Sequence, residues 1–167
     1  MFMKLRLLFF TLFTAACLTI SAQDKEAYAG TRAQSVFGEL GGNGLLFSVN
    51  YDTRFSRSDK GLGMRAGLGF FGGSGGGILT VPIVLNHLAG RAPHYFESGL
   101  GFTYATFTGE DEDFFGGGGN LLIPSIGYRY QAIGKGFIGR VVLSPVVNLG
   151  EGGGWFLFGG VSAGFKF

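Results

Sequence analysis

LLFSVNYDTRFS, residues 45–56, alternates apolar and polar side chains. Leu45, Phe47, Val49, Tyr51, Thr53 and Phe55 fall on one face of an extended chain, and Ser48, Asn50, Asp52, Arg54 and Ser56 on the other, because successive strand side chains point to opposite sides. Such a run can cross a bilayer as a tilted strand. The pattern recurs at Leu62 to Phe70, where Leu62, Met64, Ala66, Leu68 and Phe70 oppose Gly63, Arg65, Gly67 and Gly69. It recurs again at Phe96 to Tyr104 and at Ile126 to Gln131, with Glu97 and Arg129 on the polar faces.

Three further segments read as strands with less contrast. Ser35 to Leu40 sets Glu39 opposite Val36 and Leu40; Ile78 to Leu88 is apolar on both faces except at Thr80 and Asn86; Phe137 to Val147 sets Arg140 and Ser144 opposite Val141, Leu143 and Val147. Turn-forming clusters separate the strands: GGNG at 41–44, RSDKG at 57–61, GGSGG at 72–76, AGRAPH at 89–94, EDEDFFGGGG at 110–119, GKG at 134–136 and EGGG at 151–154. With the last segment, residues 155–167, the count is eight strands and seven connections. The fold class is all-β, an eight-stranded antiparallel up-and-down transmembrane β-barrel. Pro82, Pro124 and Pro145 lie inside predicted strands and lack a ladder donor, so local bulges are expected there.

Which face looks outward separates two kinds of barrel. In a secreted lipocalin-like carrier the apolar face lines the cavity. Here the charged residues are interleaved with glycine, as in Gly63, Arg65, Gly67 and in Glu97, Gly99, Gly101. Long side chains beside absent ones suit a crowded lumen, while strand glycine on a solvent face only weakens the strand. The opposite face places Tyr51, Phe55, Phe70, Phe96, Tyr104, Tyr128, Tyr130, Phe137, Phe165 and Phe167 near strand ends. That is the distribution of interfacial aromatic girdles. The apolar face is therefore read as lipid-facing.

Residues 1–22 combine Lys4 and Arg6, an apolar run from Leu7 to Ile20 and a small-residue stretch, the layout of a secretory signal peptide cut after Ala22. Residues 23–33 then form a short periplasmic segment before the barrel at 34–167. Cys17 follows Ala15 and Ala16, but Thr14 and the apolar continuation argue against a lipoprotein signal. Removing Lys4 and Arg6 from 13 basic residues leaves 11 against 11 acids, so the charge balance gives no argument for a nucleic-acid partner, which would need a basic patch. Removing Cys17, the single cysteine, leaves no thiol or disulfide chemistry.

The chain ends WFLFGGVSAGFKF, with Phe167, Phe165, Ala163 and Val161 on one face. This ending resembles the C-terminal signature of bacterial outer-membrane β-barrels, whose terminal aromatic strand is read by the assembly machinery. The resemblance, over roughly Gln34 to Phe167, is to small barrels of the OmpA or OmpX type. It implies an outer-membrane location, contact with membrane lipid and lipopolysaccharide, and Phe165 and Phe167 as the insertion signal. A monomer without cofactor is expected.

Hairpin counting with a periplasmic C-terminus sends 41–44, 72–76, 110–119 and 151–154 outside. The same counting sets Asp52 across from Arg65, Asn86 across from Glu97 and Arg129 across from Arg140. We expect a lumenal charge belt of Glu39, Asp52, Arg65, Glu97, Arg129 and Arg140 in the periplasmic half. Glu97 is the acid expected to neutralise the two abreast arginines, because an unpaired buried charge is costly. An eight-stranded barrel is just wide enough for side chains to fill, so this belt predicts no sizeable continuous pore.

Glu110, Asp111, Glu112 and Asp113 form an acidic loop before Phe114 and Phe115. It would contact a cation or a partner, or serve as a solvated tip; it lacks the ordered ligand spacing of a calcium loop. No metal site is expected. Neither His87 nor His94 stands in a relay with a hydroxyl and an acid, and the glycine runs lack a phosphate-loop Lys-Ser/Thr. The expected function is a non-enzymatic envelope structural or surface barrel. The alternatives are a surface binding module using residues 110–119, an outer-membrane lipid-modifying enzyme, or a secreted lipocalin-like carrier.

Overall fold

A computed structural model describes residues 32–73, 76–109, 119–150 and 154–167. Eight strands follow in chain order: β1 Gln34–Gly41, β2 Phe47–Arg54, β3 Gly61–Gly73, β4 Gly76–Arg91, β5 His94–Gly109, β6 Gly119–Gln131, β7 Gly136–Asn148 and β8 Trp155–Lys166. Each pairs antiparallel with its sequence neighbours, and β1 pairs with β8, giving a closed barrel. Closure satisfies the backbone donors and acceptors that an open sheet would expose at its edges. The expected fold class is the one observed. The signal peptide expected over 1–22, almost all of segment 23–33 and the acidic residues Glu110 to Asp113 lie outside the described residues.

The strands are staggered as well as paired. Stepping sideways from Val36 through Tyr51, Ala66, Ile83, Phe102, Leu122 and Val147 reaches Trp155 on β8. The direct partner of Val36 on β8 is Phe165, so one circuit climbs from residue 165 to 155. A stagger of this kind tilts the strands and sets the barrel's width. Every side chain on that row faces out. The alternation holds around the barrel: Leu62, Met64, Leu68, Leu85, Leu100, Phe102, Ile126, Leu143 and Val161 are exposed, while Ser48, Asp52, Arg65, Asn86, Glu97, Thr103, Arg129 and Arg140 are buried.

The prolines do not make bulges. Between β3 and β4, pairing stops at Ala66–Ile83 and resumes at Gly69–Thr80, with equal lengths skipped on each strand around Pro82. Between β6 and β7 it stops at Leu122–Val147 and resumes at Ile126–Leu143, so Pro124 and Pro145 share one gap. A bulge would add a residue to one strand only and shift the register. Each proline instead keeps its place in the ladder on its other side: Pro82 pairs with Thr103, Pro124 with Leu100 and Pro145 with Leu157. The missing donors are concentrated at two interruptions.

Two of the departures from the sequence expectation bear on the interior of the barrel. β6 starts at Gly119, well before Ile126, because Leu121 and Ile123 face inward onto apolar neighbours and erase the polar contrast of that half-strand. Leu45 does not continue the lipid-side stripe of β2. The chain from Gly42 to Gly44 forms a single buried 3-10 turn, and Leu45 adopts φ 68° and packs inside with Ala105, Leu121, Ile123 and Val146. Burying a leucine is worth about 1.5–3 kcal/mol, enough to offset a strained backbone costing about 1–3 kcal/mol.

The β1–β8 seam depends on Gly164. A Cβ there would collide with the Val36 carbonyl and with the backbone of Phe37, its partner residue. Gly164→Val is expected to cost roughly 1–3 kcal/mol or more and to deplete the compact, fast-migrating form on unheated gels. Gly73→Ala, where a Cβ meets open space, is expected to migrate as wild type.

Candidate functional site

The inward faces of β1, β2, β3, β5, β6 and β7 bring the predicted belt into one cluster. Glu39, Asp52, Arg65, Glu97, Arg129 and Arg140 are all buried. Cross-strand registry sets Asp52 opposite Arg65 and Arg129 opposite Arg140, as counted from the turns. Asn86 lies across from Gly99 rather than Glu97, which pairs with Leu88. The hairpin turns tightly at Ala92 and Pro93, one step later along the chain than counting from AGRAPH implies.

Opposite placement does not make every pair a bond. Arg65 passes over Asp52 and donates to Glu39 Oε2 at 3.2 Å. Glu97 takes a two-pronged bond from Arg140, Nε at 3.0 Å and Nη2 at 2.7 Å. It also lies 3.5 Å from Arg129 Nη1, so one carboxylate serves both abreast arginines. Arg140 Nη1 further donates to Glu39 at 3.2 Å and to the Ser162 hydroxyl at 3.0 Å. Planar guanidinium forks suit such shared carboxylates because each presents several donors in fixed directions.

Asp52 anchors a second group nearer the chain termini. Its oxygens accept from Arg54 Nη2 at 2.6 and 2.8 Å and from Asn86 Nδ2 at 2.5 Å. Arg129 reaches the same carboxylate at 3.4 Å and the Ser35 hydroxyl at 3.3 Å. Below this group Lys166 Nζ donates to Asp59 at 2.9 Å. Arg54 was missing from the expected belt although its parity is polar; its place beside the turn disguised it. Phe37 was missed too. Its ring lies 4.8 Å from the Arg140 guanidinium and 5.7 Å from that of Arg65, within cation–π range.

Asn43, at the centre of GGNG, is the other residue that turn composition concealed. Its backbone N–H donates to Glu39 Oε1 at 3.0 Å and its side-chain amide to the Ile123 carbonyl at 2.9 Å. Its Oδ1 accepts from Arg65 at 2.6 Å, and its carbonyl from Thr103 at 2.8 Å. The Gly44 carbonyl accepts from Thr80 at 3.0 Å. The segment Gly42–Leu45 is therefore a strap bonded to β1, β3, β4, β5 and β6 from inside the barrel. Glycines make room for it: a Cβ at Gly101 would strike the Asn43 amide, and one at Gly160 the Gly42 backbone.

Four guanidiniums and three carboxylates thus share the interior. Desolvating such charges costs several kcal/mol each, so the network is not a net source of stability. It imposes a condition: each member is tolerable only with the others in place. His87 and His94 lie outside this cluster. His94 is exposed and hydrogen-bonded through Nδ1 to the Tyr128 hydroxyl at 2.6 Å, and His87 is on the outward face of β4, half-buried.

No family model and no curated protein sequence matches the chain. Among solved structures, the fold is similar to the N-terminal β-barrel domain of Pseudomonas aeruginosa OprF, with a TM-score of 0.54 and 15% identity over 83% of this chain and 98% of that chain. At that identity the likeness concerns the fold, an outer-membrane-type eight-stranded barrel.

Arg140→Met leaves Glu97 and Glu39 buried beside one fewer cation and is expected to cost roughly 3–5 kcal/mol. Adding Glu97→Gln should recover part of that loss, so the two substitutions are strongly non-additive in urea unfolding followed by Trp155 fluorescence. Simple additivity would contradict the network.

Proposed function

We propose that the chain is a non-enzymatic integral protein of the bacterial outer membrane, exported with a cleaved signal peptide, in which the barrel lumen is closed by its own residues. The observation that carries this reading is the inversion of ordinary burial. Large apolar side chains such as Leu68 at 64% and Phe70 at 65% are exposed, while Arg65 and Glu39 at 0% are enclosed. Soluble monomers rarely present apolar surface on this scale, whereas a lipid-facing wall requires it. A lipocalin-like carrier would need the opposite arrangement. The OprF likeness in fold supports the same location.

Closure has two parts in this reading. The charged belt fills the half of the lumen toward the chain termini, and the strap with Leu45 fills the other half. The protein then serves the envelope as a stable wall element, monomeric, in contact with lipid and lipopolysaccharide through its outer surface. Phe165 on β8 pairs with Val36 and with Phe137. The terminal strand therefore acts both as the signal read by the assembly machinery and as the closing seam.

The protein is expected to fractionate with membranes, to require detergent for extraction and to change gel mobility on heating; release by carbonate without detergent would refute the reading. In planar bilayers the wild type is expected to give no steady conductance, and a persistent open level would refute closure. Deleting Phe165 to Phe167 is expected to abolish assembly, read as loss of the heat-modifiable form and degradation of the chain.

A further inference from the structure

The interruption between β6 and β7 brings together two carbonyls and two hydroxyls that lack their usual partners. The backbone bonds at its two ends fix how the ladder alternates: Leu149 N donates to Asn120 O at 3.0 Å, and Ala132 N to Phe137 O at 3.1 Å. The register is the same at Leu122–Val147 and at Ile126–Leu143, so it carries across the gap and sets Pro124 opposite Pro145. Counting by twos from either end makes this a pair in which each residue should donate to the other's carbonyl. Neither proline has an N–H to give. Both carbonyls face the gap without a ladder donor.

The next residues toward the charged belt repeat the deficit. By the same register Ser125 and Ser144 face each other inside the barrel. They are 4% and 0% exposed, and neither hydroxyl has a hydrogen-bond partner. Directly opposed residues of an antiparallel pair hold their Cβ atoms about 4.5–5.5 Å apart, near enough for one small molecule to reach both hydroxyls. Gly99 lies across from Ser125 on β5, where a Cβ would come 2.9 Å from Ser125 Oγ and 3.2 Å from Val84. The missing side chain keeps that side of the serine uncrowded. The enclosed side chains around it, Val84, Ile123, Val142 and Val146, offer neither donor nor acceptor. Buried polar groups are seldom left unpaired, and four at one point call for a common partner.

We propose that the Pro124/Pro145 gap is a binding site for one ordered water molecule, which donates to the two proline carbonyls and accepts from the Ser125 and Ser144 hydroxyls. Two acceptors and two donors match the bonding capacity of water. A cation is disfavoured, because the next charged side chains along β6 and β7 are Arg129 and Arg140, which already share Glu97. The water takes the place of the two missing N–H groups and ties β6 to β7 where the ladder is broken. The site follows from the ladder and the enclosed serines, and stands whether or not the outer face meets lipid.

A high-resolution crystal structure of the wild-type chain, grown from lipid mesophase, tests the site without any substitution. One isolated density peak within about 2.7–3.2 Å of Pro124 O, Pro145 O, Ser125 Oγ and Ser144 Oγ is expected, and it should persist when sodium is replaced by choline throughout. A gap with no such peak and the hydroxyls turned to other partners would overturn the proposal. So would a peak lost with sodium, which would reassign the site to a cation. Urea unfolding gives a second readout. Ser125→Ala/Ser144→Ala is expected to lower the midpoint in the wild-type background and to leave it unchanged in Pro124→Val/Pro145→Val, whose restored N–H groups close the ladder and displace the water. Equal shifts in the two backgrounds would contradict a shared water.

Discussion

Everything in this barrel depends on where Arg54, Arg65, Arg129 and Arg140 and their three carboxylates are held. A strand slipped by one residue would turn its charged side chains outward and its leucines and phenylalanines inward. On the outer wall, which is apolar around the whole circumference, an isolated guanidinium would have no partner; inside, Glu97, Glu39 and Asp52 each serve at least two cations. The network therefore acts on specificity more than on stability. It penalises every register except the one that assembles it.

The same constraint explains the glycines. Side chains as long as arginine crowd a lumen this narrow, and their neighbours in the wall must give way. A Cβ at Gly63 would strike the Arg54 guanidinium, and one at Gly67 the Asn50 amide. The strap is a second consequence. Toward the loop end the inward positions become apolar, with Leu121, Ile123 and Val146, and water there would find few partners. Leu45 packs against these residues, and Asn43 joins it to the charged belt through Glu39 and Arg65. The strap and the belt form one connected hydrogen-bond network.

Strand number, faces and most of the charge belt were legible because glycine and charge alternate with large apolar residues, and period 2 is visible wherever the two faces differ in chemistry. Where they do not differ, legibility fails. The first half of β6 is apolar on both sides, so it reads as an extension of a glycine-rich loop. GGNG has the composition of a hairpin tip, and nothing in its four residues signals that the tip folds inward; only the cradle made by distant Gly101 and Gly160 permits that. The Asn86 placement failed by two positions because Gly90 and Arg91 look like turn residues but belong to β4, and a small error in turn centre doubles in the cross-strand register. The prolines failed in another way: a strand can lose pairing on one side and keep its register, a solution that sequence patterning does not distinguish from a bulge.

A barrel whose apolar face meets lipid and whose charged face is enclosed must show that alternation along each strand. Methyl-labelled protein in lipid nanodiscs tests it without altering a side chain, through nuclear Overhauser contacts to the lipid acyl chains. Contacts are expected to Ile83, Leu85, Leu100, Ile126 and Leu143, which face out, and none to the buried Val84, Leu88, Ile123, Ile138 and Val142. Contacts to the second set, or to both sets without alternation, would contradict it.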